Sequence, residues 1–195
     1  MSKPRLMILV ASTRPGRAGE PVADWFCKRA VEHGGFEVEV VDLAKLNLPF
    51  MDEPNHPRLR QYVHQHTKDW SAMVERADAF VFVMPEYNYG FTAPLKNAID
   101  YLHHEWAYKP VGFVSYGGVS AGTRAVQMMK QVVTTLKMMP INEAVSIPFV
   151  RQFINDDGKL VPNEVMNTAA DQMLDELLRW AKALQPLREG EPVAV

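Results

Sequence analysis

Cysteine is almost absent from this sequence, since Cys27 is the only one among 195 residues. A single cysteine excludes an internal disulfide, a cysteine-based metal site and a redox pair within one chain. Such scarcity is typical of proteins in a reducing compartment, so we expect a cytoplasmic location. The apolar run at residues 6–11 is too short for a signal sequence or a membrane span, so we do not expect export.

The sequence also lacks an excess of either charge, because 21 basic residues stand against 23 acidic ones and the formal net charge is -2. Without a strong overall field, the protein is not expected to bind nucleic acid or a membrane surface, and any anion site must be local. The composition, 47% hydrophobic and 23% charged, is that of an ordinary globular protein. We predict one domain over residues 1–195, with a loose tail at residues 189–195.

Several familiar motifs are missing. The sequence has no Gly-Lys-Ser/Thr segment, which a loop that binds a nucleoside triphosphate needs, and no G-x-G-x-x-G segment, which a dinucleotide-binding fold needs. The six histidines include His64 and His66 and the adjacent His103 and His104. Neither spacing places two rings on one helix face, as an i,i+4 spacing would. We therefore predict no metal site.

Five short segments predict β-strands, at residues 5–11, 36–41, 79–84, 111–116 and 141–147; the second alternates apolar with charged residues, as expected at a sheet edge. Apolar side chains spaced by three and four residues predict helices at residues 21–33, 59–76, 94–103, 121–136 and 163–185, and proline-rich residues 46–57 predict a long loop. Strands that alternate with helices imply parallel pairing and right-handed crossovers. We predict a three-layer, doubly wound α/β fold with a five-stranded parallel sheet in the flavodoxin-like order 2-1-3-4-5.

In such a sheet the ligand crevice lies beyond the carboxyl ends of the strands, between the first and third. The loop after the first strand contains Ser12, Thr13, Arg14, Gly16, Arg17 and Gly19. Free N–H groups at the following helix favour an anion there, hydroxyls and arginines add donors, and glycines let the backbone wrap closely. The loop predicts a site for a phosphate monoester, although a plain hydrophilic loop with two solvated arginines would have the same composition.

Two further loops are expected at this crevice. One carries Pro85, Glu86, Tyr87, Asn88 and Tyr89 after the third strand, and the other carries Ser115, Tyr116, Gly117 and Gly118 at the end of the fourth. Aromatic rings and an amide beside a buried strand suit a flat ring system, and glycines permit close backbone approach. The alternatives are a turn whose aromatic rings cover the sheet end and an ordinary strand-to-helix turn.

The Ser-x-Arg-x-Gly loop at residues 12–16, together with the Pro-Glu-Tyr-Asn segment at residues 85–88, resembles the NADPH-dependent FMN reductase family over residues 4–147. The resemblance implies that Ser12, Thr13, Arg14 and Arg17 hold the FMN phosphate. It implies that residues 85–89 line the isoalloxazine ring, that residues 115–118 also meet the flavin, and that residues 48–57 build part of the pocket above it. The flavin then carries the chemistry, and no catalytic side chain is expected.

The same resemblance implies an oxidoreductase that passes hydride from NADPH or NADH through FMN to a small oxidant, such as a flavin, a quinone, an azo or nitro compound or a metal oxyanion. The alternative is a flavodoxin-like electron carrier, which a net charge of -2 disfavours because such carriers are strongly acidic. Trp106 and Tyr108 are expected to be exposed, which suggests a homodimer or homotetramer. Lys96 and Asp100 are spaced as a helix-surface pair.

Overall fold

Five parallel strands form one sheet in the order β2-β1-β3-β4-β5 in a computed structural model that describes residues 3–190. The strands are β1 (Arg5–Val10), β2 (Glu37–Asp42), β3 (Ala79–Pro85), β4 (Pro110–Tyr116) and β5 (Met139–Ile147). Every pair of neighbours runs parallel. The predicted strand order is confirmed, and each strand lies within two residues of its predicted bounds.

Helices cover both faces of this sheet. They are α1 (Gly19–His33), α2 (Leu43–Leu46), α3 (Gln65–Glu75), α4 (Ala93–Asp100), α5 (Thr123–Thr135) and α6 (Glu164–Glu189). Successive side chains of a strand point to opposite faces, so Leu6 and Ile8 pack in a hydrophobic cluster with α1 and α6. Met7 and Leu9 pack in a second cluster with α3, α4 and α5. The result is the predicted three-layer, doubly wound fold.

The predicted start of α3 at residue 59 is wrong, because this helix begins at Gln65. Arg60, with a φ of 50°, ends a separate short 3-10 helix, Pro57–Leu59. Before α3, the Glu53 carboxylate accepts hydrogen bonds from the N–H groups of Val63 at 2.8 Å and His64 at 3.0 Å. These contacts hold the chain in a non-helical path that apolar spacing alone does not reveal.

Trp106 is fully buried, which contradicts the prediction that it is exposed. Its ring centroid lies 5.1 Å from that of Phe80 and 5.9 Å from that of Trp70, and its Nε1 donates to the Ile99 carbonyl at 3.2 Å. The chain after α4 turns back toward the sheet through a 3-10 helix, His104–Trp106, and this turn carries the ring into the core. Tyr108 is only partly exposed. Trp106 therefore does not support self-association.

The C-terminal helix α6 continues through Glu189 and is followed by Gly190, which has a φ of 73°. The tail predicted at residues 189–195 therefore starts inside this helix, and residues 191–195 lie outside the described residues. Across residues 3–190, no helix is both long enough and apolar enough to cross a bilayer. The same part of the chain shows no cluster of His, Cys, Asp and Glu side chains arranged to hold a metal ion.

Lys109 is a buried cation immediately before β4, and only 5% of its surface is exposed. Its Nζ donates to the carbonyls of Val74 at 2.8 Å and Glu75 at 2.9 Å, so it caps the C-terminal end of α3. Burial lowers the pKa of Lys109 to about 8. The ammonium group is thus less stable in the folded protein than in the unfolded chain.

We expect the wild-type protein to gain stability relative to a Lys109→Met variant as the pH rises from roughly 8 to 9.5. The folded protein releases the Lys109 proton in this range, whereas the unfolded chain, with the ordinary pKa of 10.5, still holds it. Deprotonation therefore favours folding, by about 1.5 kcal/mol over this range. Urea unfolding at both pH values measures the difference, and equal pH dependence in the two proteins would contradict the lowered pKa.

Candidate functional site

The loops at the carboxyl ends of β1, β3 and β4 are joined by hydrogen bonds. Thr92, which is buried, donates its hydroxyl to the Ala11 carbonyl at 2.7 Å and so connects the loop after β3 to the end of β1. The Glu86 N–H donates to the Tyr116 carbonyl at 3.1 Å and connects the loop after β3 to the end of β4. The three loops that the sequence predicted to meet therefore lie together, as expected at a switch point of the strand order.

Ser12 links the predicted phosphate loop to the predicted ring-binding loop. Its side chain is fully buried, and its hydroxyl lies 2.9 Å from the hydroxyl of Tyr87, with either oxygen able to donate. Tyr87 itself is 40% exposed. Thr13 and Arg14, the next residues of the loop, are exposed at its surface. The structure thus places one hydroxyl at the base of the loop and one hydroxyl and one guanidinium at its rim.

The start of α1 carries no side-chain cap, because Ala18 stands at the N-cap position. Because Pro21 in the first turn has no N–H and the Val22 N–H already donates to Ala18, the N–H groups of Gly19 and Glu20 are those that an anion at the helix start could bind, which the helix dipole also favours. Gly19 opens the helix, and a Cβ atom at this position would lie 2.7 Å from the Tyr116 hydroxyl. Glycine is needed here because Tyr116 approaches the helix start so closely.

Tyr116, the last residue of β4, is 4% exposed, and its hydroxyl has no hydrogen-bond partner among the described residues. Burial raises the pKa of Tyr116 and nearby Tyr87 adds to the rise, while the nearby Ser12 hydroxyl and Arg17 oppose it, so this hydroxyl remains a proton donor. A buried donor left unpaired costs about 1 to 3 kcal/mol, which an acceptor on a ligand would offset. The Tyr116 hydroxyl, the uncapped helix start and Thr13 together form a donor set that fits a phosphate group.

Arg17 is held mainly within the protein, although its buried Nε has no hydrogen-bond partner among residues 3–190. Its guanidinium donates to the Ser12 carbonyl at 2.8 Å, to Glu20 at 2.6 Å and to Asp42 at 2.6 Å, and its side chain is 8% exposed. Two carboxylates therefore offset the charge that the sequence assigned to a phosphate. The sequence alone does not predict this arrangement, because Asp42 lies at the end of β2 and meets Arg17 only in the folded chain.

The loop after β3 forms a tight turn at Tyr87–Gly90. Tyr87 and Gly90 exchange two backbone hydrogen bonds of 2.9 Å, while Asn88 and Tyr89 have φ values of 49° and 70°. Two successive positive φ angles are typical of a type I′ turn, in which asparagine is well tolerated. Pro85, two residues before Tyr87, is the buried last residue of β3. The turn leaves Tyr89 64% exposed at the rim of the crevice.

Glu86 holds the start of α5 through Arg124, a residue that the sequence reading missed. The Glu86 carboxylate accepts from Arg124 Nε at 2.6 Å and from the Arg124 N–H at 3.2 Å, and the Arg124 guanidinium stacks over the Tyr89 ring at 3.8 Å. Burial alone would raise the pKa of Glu86, but hydrogen bonds from Arg124 and Ser120 hold it below its ordinary value. A cation in the first turn of a helix is unfavourable beside the positive end of the helix dipole. The position of Arg124 in the sequence therefore indicates that an acidic partner lies nearby.

The glycine-rich loop after β4 is held against the end of its strand. The Ser115 hydroxyl is buried and donates to the Ala121 carbonyl at 2.8 Å, so this side chain is used within the fold. Gly122 follows with a φ of 83°. Gly117 is partly exposed and Gly118 is exposed, with no atom within 4 Å of a Cβ built on Gly118. These two glycines leave room for close backbone approach by a flat ligand.

The segment after β5 also reaches the crevice, although no role was predicted for it. Arg151 donates from Nη2 to the Gly16 carbonyl at 2.6 Å and thus contacts the first loop. The N–H groups of Phe149 and Val150 donate to the carbonyls of Gly118 at 3.1 Å and Gly117 at 3.3 Å. All parallel strands end at the same edge of the sheet, so a segment that directly follows β5 is expected to lie near the crevice. This position in the sequence could have predicted a role for Arg151.

A groove of about 440 Å³ lies beside Thr13, between the loop after β2 and the start of α4. Phe50 and Pro94 line it, and Phe50 is 85% exposed. The Tyr101 hydroxyl donates to Asp52 at 2.9 Å and helps to hold the loop that carries Phe50. Of the loop at residues 48–57, which was expected to build part of a substrate pocket, residues 48–50 line this groove next to the first loop.

We expect a Tyr116→Phe variant to be about 1 kcal/mol more stable than the wild type without ligand, and to bind FMN several-fold more weakly. The substitution removes a buried hydroxyl that has no hydrogen-bond partner in the described part of the chain but that fits a ligand phosphate. Thermal unfolding of the ligand-free proteins and FMN titration measure the two effects. A Tyr101→Phe control loses a partnered hydroxyl and should be destabilised instead. Loss of both stability and affinity in Tyr116→Phe would contradict the assignment.

Known proteins resemble this chain over much of its length. The family model described as NADPH-dependent FMN reductase matches residues 4–152. An NAD(P)H-dependent FMN reductase of Schizosaccharomyces pombe is 40% identical over 149 residues, which cover 74% of this chain and 74% of that protein. An NAD(P)H:quinone oxidoreductase of Solanum tuberosum is 35% identical over 120 residues, which cover 60% of this chain and 59% of that protein.

A solved structure shares the fold. FerB, a flavoenzyme NAD(P)H:(acceptor) oxidoreductase from Paracoccus denitrificans, superposes with a TM-score of 0.72 at 19% identity, covering 92% of this chain and 98% of that one. At this identity the likeness supports the flavodoxin-like architecture alone. The family match, however, spans all three loops predicted from the sequence. This chain therefore belongs to the NADPH-dependent FMN reductase family, and it is an oxidoreductase whose cofactors are FMN and NAD(P)H.

Proposed function

We propose that this protein passes hydride from NADPH or NADH, through FMN bound in the crevice, to a small oxidised molecule. The observation that carries the proposal is the buried Tyr116 hydroxyl, which lies against the uncapped start of α1 and has no partner among residues 3–190. An anionic ligand would stabilise both the hydroxyl and the helix start. FMN, when bound, supplies the hydride chemistry, and the protein supplies anchoring and orientation.

The proposed cofactor contacts remain those predicted from the sequence: Ser12, Thr13, Arg14, Arg17, Gly19, Pro85, Glu86, Tyr87, Asn88, Tyr89, Ser115, Tyr116, Gly117 and Gly118. Their geometry supports a division of roles. Arg17, Glu86 and Ser115 use their side chains within the protein, so backbone groups are what they can offer to a ligand. The side chains available for the phosphate are the hydroxyls and Arg14, and the turn after β3 and the glycines after β4 are available for the ring.

No catalytic acid or base is assigned to the protein. Glu86 is the carboxylic acid in the loop after β3, but its carboxylate is held by Arg124 at 2.6 Å. Hydrogen bonds from Arg124 and Ser120 outweigh the effect of burial and keep the pKa of Glu86 low, so it stays ionised near neutral pH. We therefore assign Glu86 the positioning of α5 and of the turn rather than proton transfer.

We propose a quinone or another flat, largely apolar compound as the electron acceptor, within a range that includes flavins, azo and nitro compounds and metal oxyanions. Exposed Phe50 beside Thr13 offers an apolar surface next to the first loop. The relative from Solanum tuberosum is named a quinone oxidoreductase. A flavodoxin-like electron carrier is not favoured, because the matching family consists of NADPH-dependent reductases.

We further propose a homodimer or homotetramer that forms through the outer faces of α4 and α5. A groove of about 440 Å³ lies between these helices, with Phe91, Met128 and Val132 among its lining residues. Lys96 and Asp100 pair beside it at 2.7 Å, each 41% exposed. An apolar groove bordered by charged side chains suits contact with a second copy of this chain. Analytical ultracentrifugation measures the oligomeric state. The cytoplasmic location remains a prediction from the single cysteine.

The function is tested with purified protein stripped of any flavin. We expect FMN to bind in a fluorescence titration with micromolar or tighter affinity, and NADPH or NADH to bleach the bound flavin directly under anaerobic conditions. Adding a quinone should then restore the flavin absorbance. Failure to bind FMN would overturn the proposal. Bleaching that requires a separate reductase would instead identify an electron carrier.

A further inference from the structure

The first loop has less free positive charge than its sequence suggests. Arg17 is 8% exposed and lies between the carboxylates of Glu20 and Asp42. A phosphate monoester is nearly a dianion close to neutral pH. Arg14 remains on the loop surface. A second cation that replaces the charge of Arg17 must therefore come from another part of the chain.

Arg151 reaches the first loop from the segment after β5. Its Nη2 donates to the Gly16 carbonyl at 2.6 Å. Because a carbonyl is neutral, this contact leaves the charge of the guanidinium unbalanced, unlike the contacts of Arg17. Gly16 and Arg17 share a planar peptide group, so the same bond fixes the direction of the Arg17 N–H.

The backbone around Arg151 is anchored on the crevice. It lies in a short 3-10 helix, Val150–Phe153, and the N–H groups of Phe149 and Val150 bind the carbonyls of Gly118 and Gly117. The segment therefore connects the glycines after β4 with the loop after β1. A side chain based on such an anchored segment loses little further freedom when it binds a ligand.

The charge of Arg151 also acts at the unpartnered hydroxyl of the site. Burial raises the pKa of Tyr116, whereas the nearby Ser12 hydroxyl and the positive charges of Arg17 and Arg151 oppose this rise. Tyr116 is 4% exposed, and its hydroxyl lies against the start of α1. The Arg151 guanidinium, the Tyr116 hydroxyl and the uncapped start of α1 thus all lie near the first loop, where they would favour an anion.

We infer that Arg151 is a phosphate-binding residue of the cofactor site, and that Arg17 is a structural residue of the same loop. Arg151 donates charge-assisted hydrogen bonds to the FMN phosphate while it holds the Gly16 peptide. This inference rests on the proposed binding of FMN in the crevice. It adds a residue from the far end of the chain to a site otherwise built from the loops after β1, β3 and β4.

The test compares FMN with riboflavin, which has the same ring system and no phosphate. Flavin-free wild-type, Arg151→Met, Arg151→Lys and Lys159→Met proteins are titrated with each compound by fluorescence quenching. We expect Arg151→Met to raise the Kd for FMN about tenfold and to leave the Kd for riboflavin unchanged. Arg151→Lys should give a smaller increase, because it keeps the charge but not the forked donor geometry.

Lys159→Met is the charge-matched control, since Lys159 is exposed in the segment that follows and its loss alters the net charge equally. It should bind both compounds as the wild type does. If Arg151→Met binds FMN with the wild-type Kd, or weakens FMN and riboflavin equally, the inference is wrong although the proposed function stands. If the wild type itself does not bind FMN, both the proposed function and the inference are wrong.

Discussion

A Gly122→Ala variant is expected to lose about 3 to 5 kcal/mol of stability and, with it, the capacity to bind FMN. A Cβ atom at Gly122 would lie 2.9 Å from the Ser115 Cβ, 2.9 Å from the Tyr116 N and 3.0 Å from the Tyr116 O. Two of these are backbone atoms at the end of β4, so relief requires the strand end to move. The φ of 83° adds strain of about 1 to 2 kcal/mol for any residue with a Cβ.

Gly118→Ala is the matched control in the same loop. Gly118 is exposed, and a Cβ atom there would meet nothing within 4 Å. Its stability should stay within about 0.5 kcal/mol of the wild type. Urea unfolding of both variants measures the contrast. A similar loss in the two variants would show that the loop is sensitive to any side chain, and that the close approach of Gly122 to β4 is not the cause.

An Asp42→Ala variant is expected to lose about 3 kcal/mol of stability, because it leaves the Arg17 guanidinium buried with one partner fewer. Asp42 and Arg17 have 11% and 8% of their side chains exposed and lie 2.6 Å apart. The Asp42 carboxylate also accepts from the Ala44 N–H at 3.0 Å and so caps α2. Glu20, the remaining partner of Arg17, is 56% exposed and offsets only part of the loss.

A double-mutant cycle with Arg17→Met separates the ion pair from other effects of Asp42→Ala. Once the buried cation is removed, the loss of Asp42 should cost less, so the double variant is expected to be more stable than the sum of the two single changes indicates. Glu37→Ala is the surface control on the same strand, since Glu37 and its partner Arg5 are 63% and 46% exposed. It should change the stability by less than about 1 kcal/mol. Additive single effects in the cycle would contradict the coupling.

Much of the fold could be predicted because its signals are local. β3 is buried along its whole length and appears in the sequence as a continuous apolar run, whereas the edge strand β2 alternates with charged residues. Strand segments that alternate with helical segments along the chain are compatible with only a few topologies of a parallel sheet. The start of α3 was misplaced because Glu53 binds the backbone at Val63 and His64, and apolar spacing contains no trace of that contact.

The location of the site followed from the same reasoning. Parallel strands must end at one edge, so the loops that carry Ser12, Tyr87 and Tyr116 had to meet there. The structure does bring these loops together, with Ser12 and Tyr87 in hydrogen-bond contact at 2.9 Å. The hydrogen-bond partners of the charged side chains at that edge could not be predicted from the strand order.

By itself, the sequence determined the doubly wound sheet, the edge at which the loops meet and the family to which the chain belongs, because strand periodicity and loop composition act over short stretches. Only the tertiary structure decided how the charges pair. Arg17 meets Asp42, Arg124 meets Glu86 and Arg151 meets Gly16 across 25, 38 and 135 residues of chain. Such pairs depend on which side chains packing brings within hydrogen-bond distance. For that reason Arg17 was assigned to the phosphate and Arg151 received no role until their positions in the folded chain were known.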